Sequence, residues 1–366
     1  MKSMKKLVLV GLVLLASVIV LVGCDTNAGD TPSSTGGTTQ QPGSEGTGGT
    51  TQQPGSEGTG GTTQQPGSES TGGTTQQPGS EGTGGDSANK ALTLTIEDAN
   101  GNSMSVTLQY DDSDGFYEIG TADELYAFAA AVNGGKTTIN GKLTSNIVVN
   151  ETVLDEQGKL SKNVSFRSWT PIGNDDTPYT GIFDGADKTI SGLYFNKPNA
   201  GYAGLFGYLG EGGSVQNLGV LDSYFCGGIY VGGVVGYTEY AVTNCYNTGA
   251  VSGTATSCSV GGVVGVNFRT ISNCYNTGAV RGTSEGSAGY VGGVVGLAIT
   301  QVTTCYYLSD TAEKGAGNDN VTAEAKDKSF FASEGMAELL NTNQEDGPWE
   351  YNTGKPAPTL KAFNKG

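Results

Sequence analysis

Six cysteines and no histidine set the limits of the chemistry this chain can do. Without histidine there is no Ser-His-Asp or Cys-His catalysis and no His-ligated zinc. Three of the cysteines, Cys245, Cys274 and Cys305, close near-copies of one phrase: Val242-Thr243-Asn244-Cys245, Ile271-Ser272-Asn273-Cys274 and Val302-Thr303-Thr304-Cys305. An earlier copy, Val215-Gln216-Asn217-Leu218, carries leucine in the cysteine's place. A slot that accepts leucine or cysteine wants a small or medium apolar side chain, so these thiols read as core residues rather than metal ligands or nucleophiles. Their spacing matches no zinc knuckle. The acidic residues that cluster are Asp175, Asp176, Asp184 and Asp187. A glycoside hydrolase or polysaccharide lyase needs two carboxylates, or carboxylate-bound calcium with a basic residue, on one face. Asp184, in Phe183-Asp184-Gly185, has a simpler reading: an aspartate bonding its own backbone in a tight turn before glycine.

The elements that must position these residues are repeats. Gly204-Leu205-Phe206-Gly207 is answered by Gly233-Val234-Val235-Gly236, Gly262-Val263-Val264-Gly265 and Gly293-Val294-Val295-Gly296, at steps of 29, 29 and 31 residues. Self-similarity at this period marks a solenoid or a propeller. A propeller blade is longer, leucine-rich repeats would show Leu-x-x-Leu-x-Leu, and glycine density with β-branched runs excludes helices. A coil of about 29 residues fits three short strands and three turns, each strand pairing in parallel with its copy in the next coil. Gly232, Gly261 and Gly292 are expected at tight corners, with the Val-Val pairs as strand between them. Equivalent positions then stack about 4.8 Å apart, which makes one inward ladder of Leu218, Cys245, Cys274 and Cys305. Beside it runs a row of Asn217, Asn244, Asn273 and Thr304, read as stacked amides at a corner. Neighbouring rungs point alike, which strains a disulfide between them.

Ahead of the repeats lie a leader and a tether. Lys2, Lys5 and Lys6 precede an apolar run from Leu7 to Val22 that has the length of a signal-peptide core. It ends in Leu21-Val22-Gly23-Cys24, which resembles a bacterial lipobox. That resemblance implies cleavage after residue 23 and acylation of Cys24, with the membrane as a partner. Five thiols then remain, so at least one is unpaired or pairs with another molecule. The whole chain carries a net charge of −17, and loss of the three leader lysines leaves −20. Such a surface excludes nucleic acid as a partner and is repelled by anionic lipid. Residues 24–88 repeat the phrase TGGTTQQPGSEG of Thr35–Gly46 and offer nothing to seed a core, so they are expected to be a disordered tether spanning roughly 45 Å.

Residues 89–135 read as a β-hairpin around Asn100-Gly101 followed by an amphipathic helix. Thr121 and Glu124 form its capping box, Leu125, Phe128, Ala129 and Val132 its apolar face, and Asn133-Gly134-Gly135 its stop. The helix is placed to cover the open end of a stack running over residues 136–310. Residues 311–366, with Phe330, Phe331, Met336, Leu339 and Leu340 in a short helix and a strand near Trp349, are expected as the other cap.

The quartets, together with the Asn-Cys-Tyr-Asn-Thr-Gly-Ala-Val of Asn244–Val251 and Asn273–Val280, resemble the GLUG repeat of bacterial surface proteins. Trp169–Gly173, the Phe-Asp-Gly turn and the Tyr-Val-Gly-Gly of Tyr230–Gly233 and Tyr290–Gly293 are similar to segments that accompany those repeats. The resemblance covers about residues 120–350 and implies an exported, adhesin-like surface protein with a β-solenoid body. Some streptococcal IgA-cleaving metallopeptidases carry the same repeats, but their metal site needs the histidines missing here.

The fold expected is therefore all-β: a right-handed parallel β-helix of about 29-residue coils, with a hairpin and helix cap before it and a helical cap after it. The first functional expectation is a lipid-anchored, non-catalytic protein at the bacterial envelope that needs no cofactor. Its ligand would be a glycan or a protein of a host or neighbouring cell, met by outward tyrosines among Tyr202, Tyr208, Tyr224, Tyr230, Tyr237, Tyr240 and Tyr290. The alternatives are a polysaccharide lyase or hydrolase, for which Asp184 and Asp187 are the candidates, and a purely structural envelope protein.

Overall fold

The computed structural model describes residues 90–283, 289–318, 321, 323–344 and 346–361. The expectations for the leader, Cys24 and the tether fall on residues 1–89 and lie outside the described residues. The chain from Gly141 to Leu308 winds as a parallel β-solenoid with about 29 residues per coil. Phe206, Val235, Val264 and Val295 stand in register down one ladder, at the spacing of the quartets.

Each coil has four strands, where three were expected from its length. The coil that begins at Ser214 runs Ser214–Leu221, Tyr224–Gly227, Tyr230–Gly232 and Val235–Thr238. The next repeats it as Val242–Asn247, Ala250–Gly253, Ser259–Gly261 and Val264–Asn267. The corner expected at Gly232 falls just after it, inside Gly-Gly-Val-Val at Gly233 and Val234, so only Val235 of the Val-Val pair is strand. A Cβ on Gly232 would lie 2.1 Å from the carbonyl oxygen of Val235, so only glycine lets the chain turn back so sharply there. Strands of equal rank form four faces: a long sheet, then second, third and fourth faces in the order the chain visits them.

A left-handed residue interrupts the long sheet in every repeat. Asn217, Asn244, Asn273 and Thr304 have φ of 53°, 53°, 54° and 53°. Asparagine tolerates this region better than most residues, and the β-branched Thr304 sits there under strain. The interruption resets side-chain alternation, as a bulge does. Val242 and Cys245, three residues apart, both point inward and are fully buried, while Thr243 and Asn244 between them are partly exposed. Strict alternation would have turned the cysteine out.

The stack starts before the recognisable repeats. Residues 141–181 make an irregular coil, held by single bridges of Ser168 with Tyr194, Ile172 with Phe206 and Tyr179 with Leu209. Trp169 is buried and its indole N–H reaches the carbonyl oxygens of Gly204 and Leu205, each at 3.2 Å. The helix α1 (Ala122–Asn133) carries the capping box: Glu124 N–H donates to Thr121 Oγ1 at 3.2 Å, and Thr121 N–H donates to Glu124 Oε2 at 3.0 Å. Its Phe128 ring meets Tyr179 and Phe183 edge-on, so its apolar face continues the core of the solenoid. The hairpin Leu92–Glu97 and Ser103–Leu108 packs on the same helix.

The C-terminal segment is helical, in α2 (Lys328–Phe331) and α3 (Glu334–Leu340), and covers a flank of the later coils. Cysteine faces in, so the next residue faces out: Tyr246, Tyr275 and Tyr306 form an outward row on the long sheet. Phe331, Met336, Leu340 and Trp349 bury that row in a second apolar cluster. The Tyr275 hydroxyl donates to the carbonyl oxygen of Pro358 at 2.6 Å. Glu324–Lys326 adds one more parallel strand beyond Tyr306–Leu308.

Gly262→Ala tests the tightness of the corners. Its Cβ would lie 2.2 Å from both Asn276 Cγ and the carbonyl oxygen of Gly293. The expected cost is about 1–3 kcal/mol in chemical denaturation. Adding Asn276→Ala should not recover it, because the backbone contact stays.

Candidate functional site: an aromatic surface between two faces

The structure puts the expected ladder inside the stack. Leu218 pairs in register with Cys245, and Cys245, Cys274 and Cys305 are buried free thiols. Cys245 N–H donates to Cys274 Sγ at 3.4 Å, and each thiol reaches the carbonyl two residues before it, at 3.3, 3.2 and 3.2 Å. Burial pushes the Cys274 and Cys305 thiols well above their ordinary range, so they stay protonated and unreactive. Cys258 is also free and buried. Among the described residues, no group of three or more Cys, Asp or Glu side chains could hold a metal ion.

The amide row lies beside the ladder as a hydrogen-bonded chain. Asn244 Nδ2 donates to Asn217 Oδ1 at 2.9 Å, and Asn217 Nδ2 donates to Asp184 Oδ1 at 3.1 Å. A second amide row, Asn247 and Asn276, was not anticipated. Both are fully buried, and Asn247 Nδ2 donates to Asn276 Oδ1 at 2.9 Å. Each closes a turn on the glycine two residues on: Gly249 N–H donates to Asn247 Oδ1 at 3.0 Å, and Gly278 N–H to Asn276 Oδ1 at 3.2 Å. The Asn-Thr-Gly spacing in both repeats was the available clue.

The four aspartates do not gather at one point, although Asp184 lies near Asp187. Asp175 accepts the Tyr202 hydroxyl at 3.1 Å, beside the third face. Asp184 is on the long sheet, where both its oxygens are engaged, by Ala186 N–H at 2.8 Å, Asn217 Nδ2 at 3.1 Å and Gln216 Nε2 at 3.2 Å. Asp187 has a buried Oδ1 with no hydrogen-bond partner. Desolvation first, and the charge of Asp184 second, push its carboxyl up to about 6. This is the behaviour of a partly buried acid at a strained bulge in the strand Ile182–Ser191, with φ of 63° at Asp187 itself.

The side chains that do converge on the surface are aromatic. Tyr202 and Tyr230 are paired on the third face, Tyr208 and Tyr237 on the fourth. The corner at Gly204 and Gly233 brings the two pairs against each other. Tyr202 stacks on Tyr208 with centroids 5.5 Å apart, Tyr208 meets Tyr237 at 4.6 Å, and Tyr230 meets both Tyr202 and Tyr237, at 5.4 and 5.5 Å. Phe268, 40 % exposed, extends the cluster by its contact with Tyr237 at 5.4 Å. The rings touch one another and so make a continuous platform, not a cage around a hole.

Two carboxylates edge the platform. Asp175 takes the hydroxyl of Tyr202, and Glu239 Oε1 takes that of Tyr208 at 3.0 Å. Burial, then the hydrogen bond to Asp175, pushes the Tyr202 phenol up to about 12; burial, then Glu239, raises Tyr208 as well. Both phenols therefore remain protonated donors. Of the other expected tyrosines, Tyr224 stacks with Tyr194 on the second face, 6.2 Å apart. Tyr290 lies two coils along the ladder from Tyr230, where Ser259 intervenes, and Tyr240 is exposed on the next corner. Phe268 and Glu239 were missed, although they hold the same place after successive fourth-face strands: Glu239 N–H donates to Leu209 O, and Phe268 N–H to Thr238 O.

With this geometry in hand, the similarities to known proteins can be placed. Residues 227–252 and 256–281 match the family described as the GLUG motif. These two segments hold most of two successive coils, including the ladder cysteine Cys245 in one and Cys274 in the other. Over 139 residues, 37% of its length, the chain is 30% identical to Halomucin from Haloquadratum walsbyi, of which the match covers 1%. Over 56 residues, 15% of its length, it is 38% identical to a putative Gly-rich membrane protein from Evansella cellulosilytica, of which the match covers 6%. The chain thus spans a small fraction of both relatives. No solved structure matches it. The two segments that match the GLUG motif both lie on the β-solenoid.

Asp187→Asn has a pH-dependent consequence. A carboxyl whose folded pKa is raised contributes stability that is full below its ordinary value of 3.8 and lost as pH rises through about 6. Asparagine, which tolerates the left-handed backbone, removes that loss. Denaturation midpoints should then fall less between about pH 4 and 7, and stability at pH 7 should rise by about 1 kcal/mol, the full linkage being reduced by solvent at this half-exposed side chain.

Proposed function

We propose that the protein is a lipid-anchored, non-catalytic surface protein whose solenoid recognises glycans on the platform of Tyr202, Tyr208, Tyr230 and Tyr237. The observation that carries the reading is that platform. Four touching rings, Tyr202 stacked on Tyr208 at 27° and the others inclined to one another by 44° to 90°, give an uneven apolar surface of ring edges and faces for a sugar, and Asp175 and Glu239 at its edge accept hydrogen bonds from sugar hydroxyls. Both oxygens of Asp184 are engaged in hydrogen bonds, which argues against a hydrolase or lyase that needs two free carboxylates on one face. Cys24, following Leu21-Val22-Gly23, is the acylation site, and residues 24–88 hold the solenoid away from the membrane. The acidic charge of −17 argues against nucleic acid as a partner. A protein ligand on a host or neighbouring cell is the second candidate for the same surface.

Two experiments test this reading. On a glycan array, the full-length protein should retain a defined subset of glycans, and Tyr208→Ala or Tyr237→Ala should weaken that binding about tenfold. Absence of binding above an unrelated acidic protein would refute glycan recognition, and release of reducing ends would turn the reading towards an enzyme. For the anchor, a bacterial host fed labelled fatty acid should incorporate label into the wild-type chain and none into Cys24→Ser.

A further inference from the structure

The edge of the aromatic platform says what kind of glycan it takes. Asp175 and Glu239 each use one oxygen to accept a tyrosine hydroxyl, and Asp175 Oδ2 and Glu239 Oε2 accept no hydrogen bond among the described residues. Neither carboxylate belongs to any ion pair among the described residues, although Lys90, Lys142, Arg167 and Lys326 all have acidic partners. Two uncompensated carboxylates, each bonded to a hydroxyl of the tyrosine cluster, make a site of negative potential beside an apolar surface. The acidity of the whole chain works in the same direction. Such a surface repels uronic acids and sulfated sugars. It gives its greatest gain to a ligand that brings an apolar ring face and an ammonium group together.

The platform also has a direction. Tyr202 pairs with Tyr230 and Tyr208 with Tyr237, one coil apart. Glu239, Phe268 and Ile299 then follow at one corner in successive coils, through the bonds from Phe268 N–H to Thr238 O and from Ile299 N–H to Asn267 O. Phe268 and Ile299 are 40% and 56% exposed. Parallel strands lie about 4.8 Å apart, so Tyr208, Tyr237, Phe268 and Ile299 mark a strip of roughly 14 Å along the stack, long enough for several sugar units. We propose, building on the glycan reading above, that the ligand is a hexosamine polymer with free amino groups, lying along the stack with sugar faces on the tyrosines and ammonium groups at Asp175 and Glu239.

The test compares oligomers of one length on the full-length protein by calorimetry: glucosamine, N-acetylglucosamine, glucose and glucuronic acid, with oligolysine as a cationic peptide. The glucosamine oligomer should bind about tenfold or more tighter than its acetylated counterpart, and the polyuronate should bind weakest. Asp175→Asn with Glu239→Gln keeps acceptors for both tyrosine hydroxyls, and circular dichroism verifies the fold. This double variant should bring the amine-to-acetyl ratio close to one while binding to the acetylated oligomer is retained. Equal or tighter binding of the neutral or acetylated oligomers to the wild type would overturn the amine inference and leave glycan recognition standing. Failure of every sugar to bind would overturn both. Tighter binding of oligolysine than of the glucosamine oligomer, in competition for the same site, would overturn the inference in favour of a basic peptide.

Discussion

Across the interior of two successive coils, a glycine faces a buried asparagine, and the cross-section of the solenoid there depends on that pairing. Asn247 lies so close to Gly233 that a Cβ there would come within 2.4 Å of the amide carbon; Asn276 and Gly262 repeat the arrangement at 2.2 Å. A larger residue at the quartet would push the fourth face away from the long sheet, and an apolar residue in place of the asparagine would leave the Asn-Thr-Gly turn without its hydrogen bonds. Where the asparagine is replaced, the glycine remains: Tyr307 takes the next rung and lies against Gly293. The polar rungs and the cysteine ladder therefore share one narrow core. The asparagines satisfy one another along the stack, and the thiols fill the apolar slot beside them.

The same constraint arranges the two outer surfaces. A left-handed residue at the middle of each long-sheet segment turns the cysteine inward and the following tyrosine outward. That produces the row of Tyr246, Tyr275 and Tyr306 which the C-terminal helices and Trp349 bury. On the opposite part of the coil, the glycine corner folds the third face onto the fourth and gathers tyrosines from two strands into one platform. One aromatic row is thus consumed in holding the chain together, and the other is left facing solvent with two carboxylates at its edge. The unrepeated character of that edge matters. Asp175 comes from the irregular first coil and Glu239 from a single repeat, so the surface is one site, not one site per coil.

The period of the quartets determined that the chain would stack, because in-register parallel strands require equal coils. The Leu218-to-cysteine exchange marked the inward ladder, and the Thr121–Glu124 spacing marked the helix that starts the core. These are local signals, carried by residues within one coil or one turn. The fourth strand in each coil could not be read the same way: the coil length fits three strands, and the corner expected at Gly232 left the Val-Val pair as strand in Gly-Gly-Val-Val. The corner within it follows from a close backbone approach to the next coil. Nor did composition distinguish the tyrosines: Tyr237 and Tyr246 look alike in the chain, yet one joins the half-buried surface cluster and the other lies beneath Trp349. Only tertiary packing, which sets the hand of each backbone bend and the return path of the C-terminal segment, decided which of them would reach solvent.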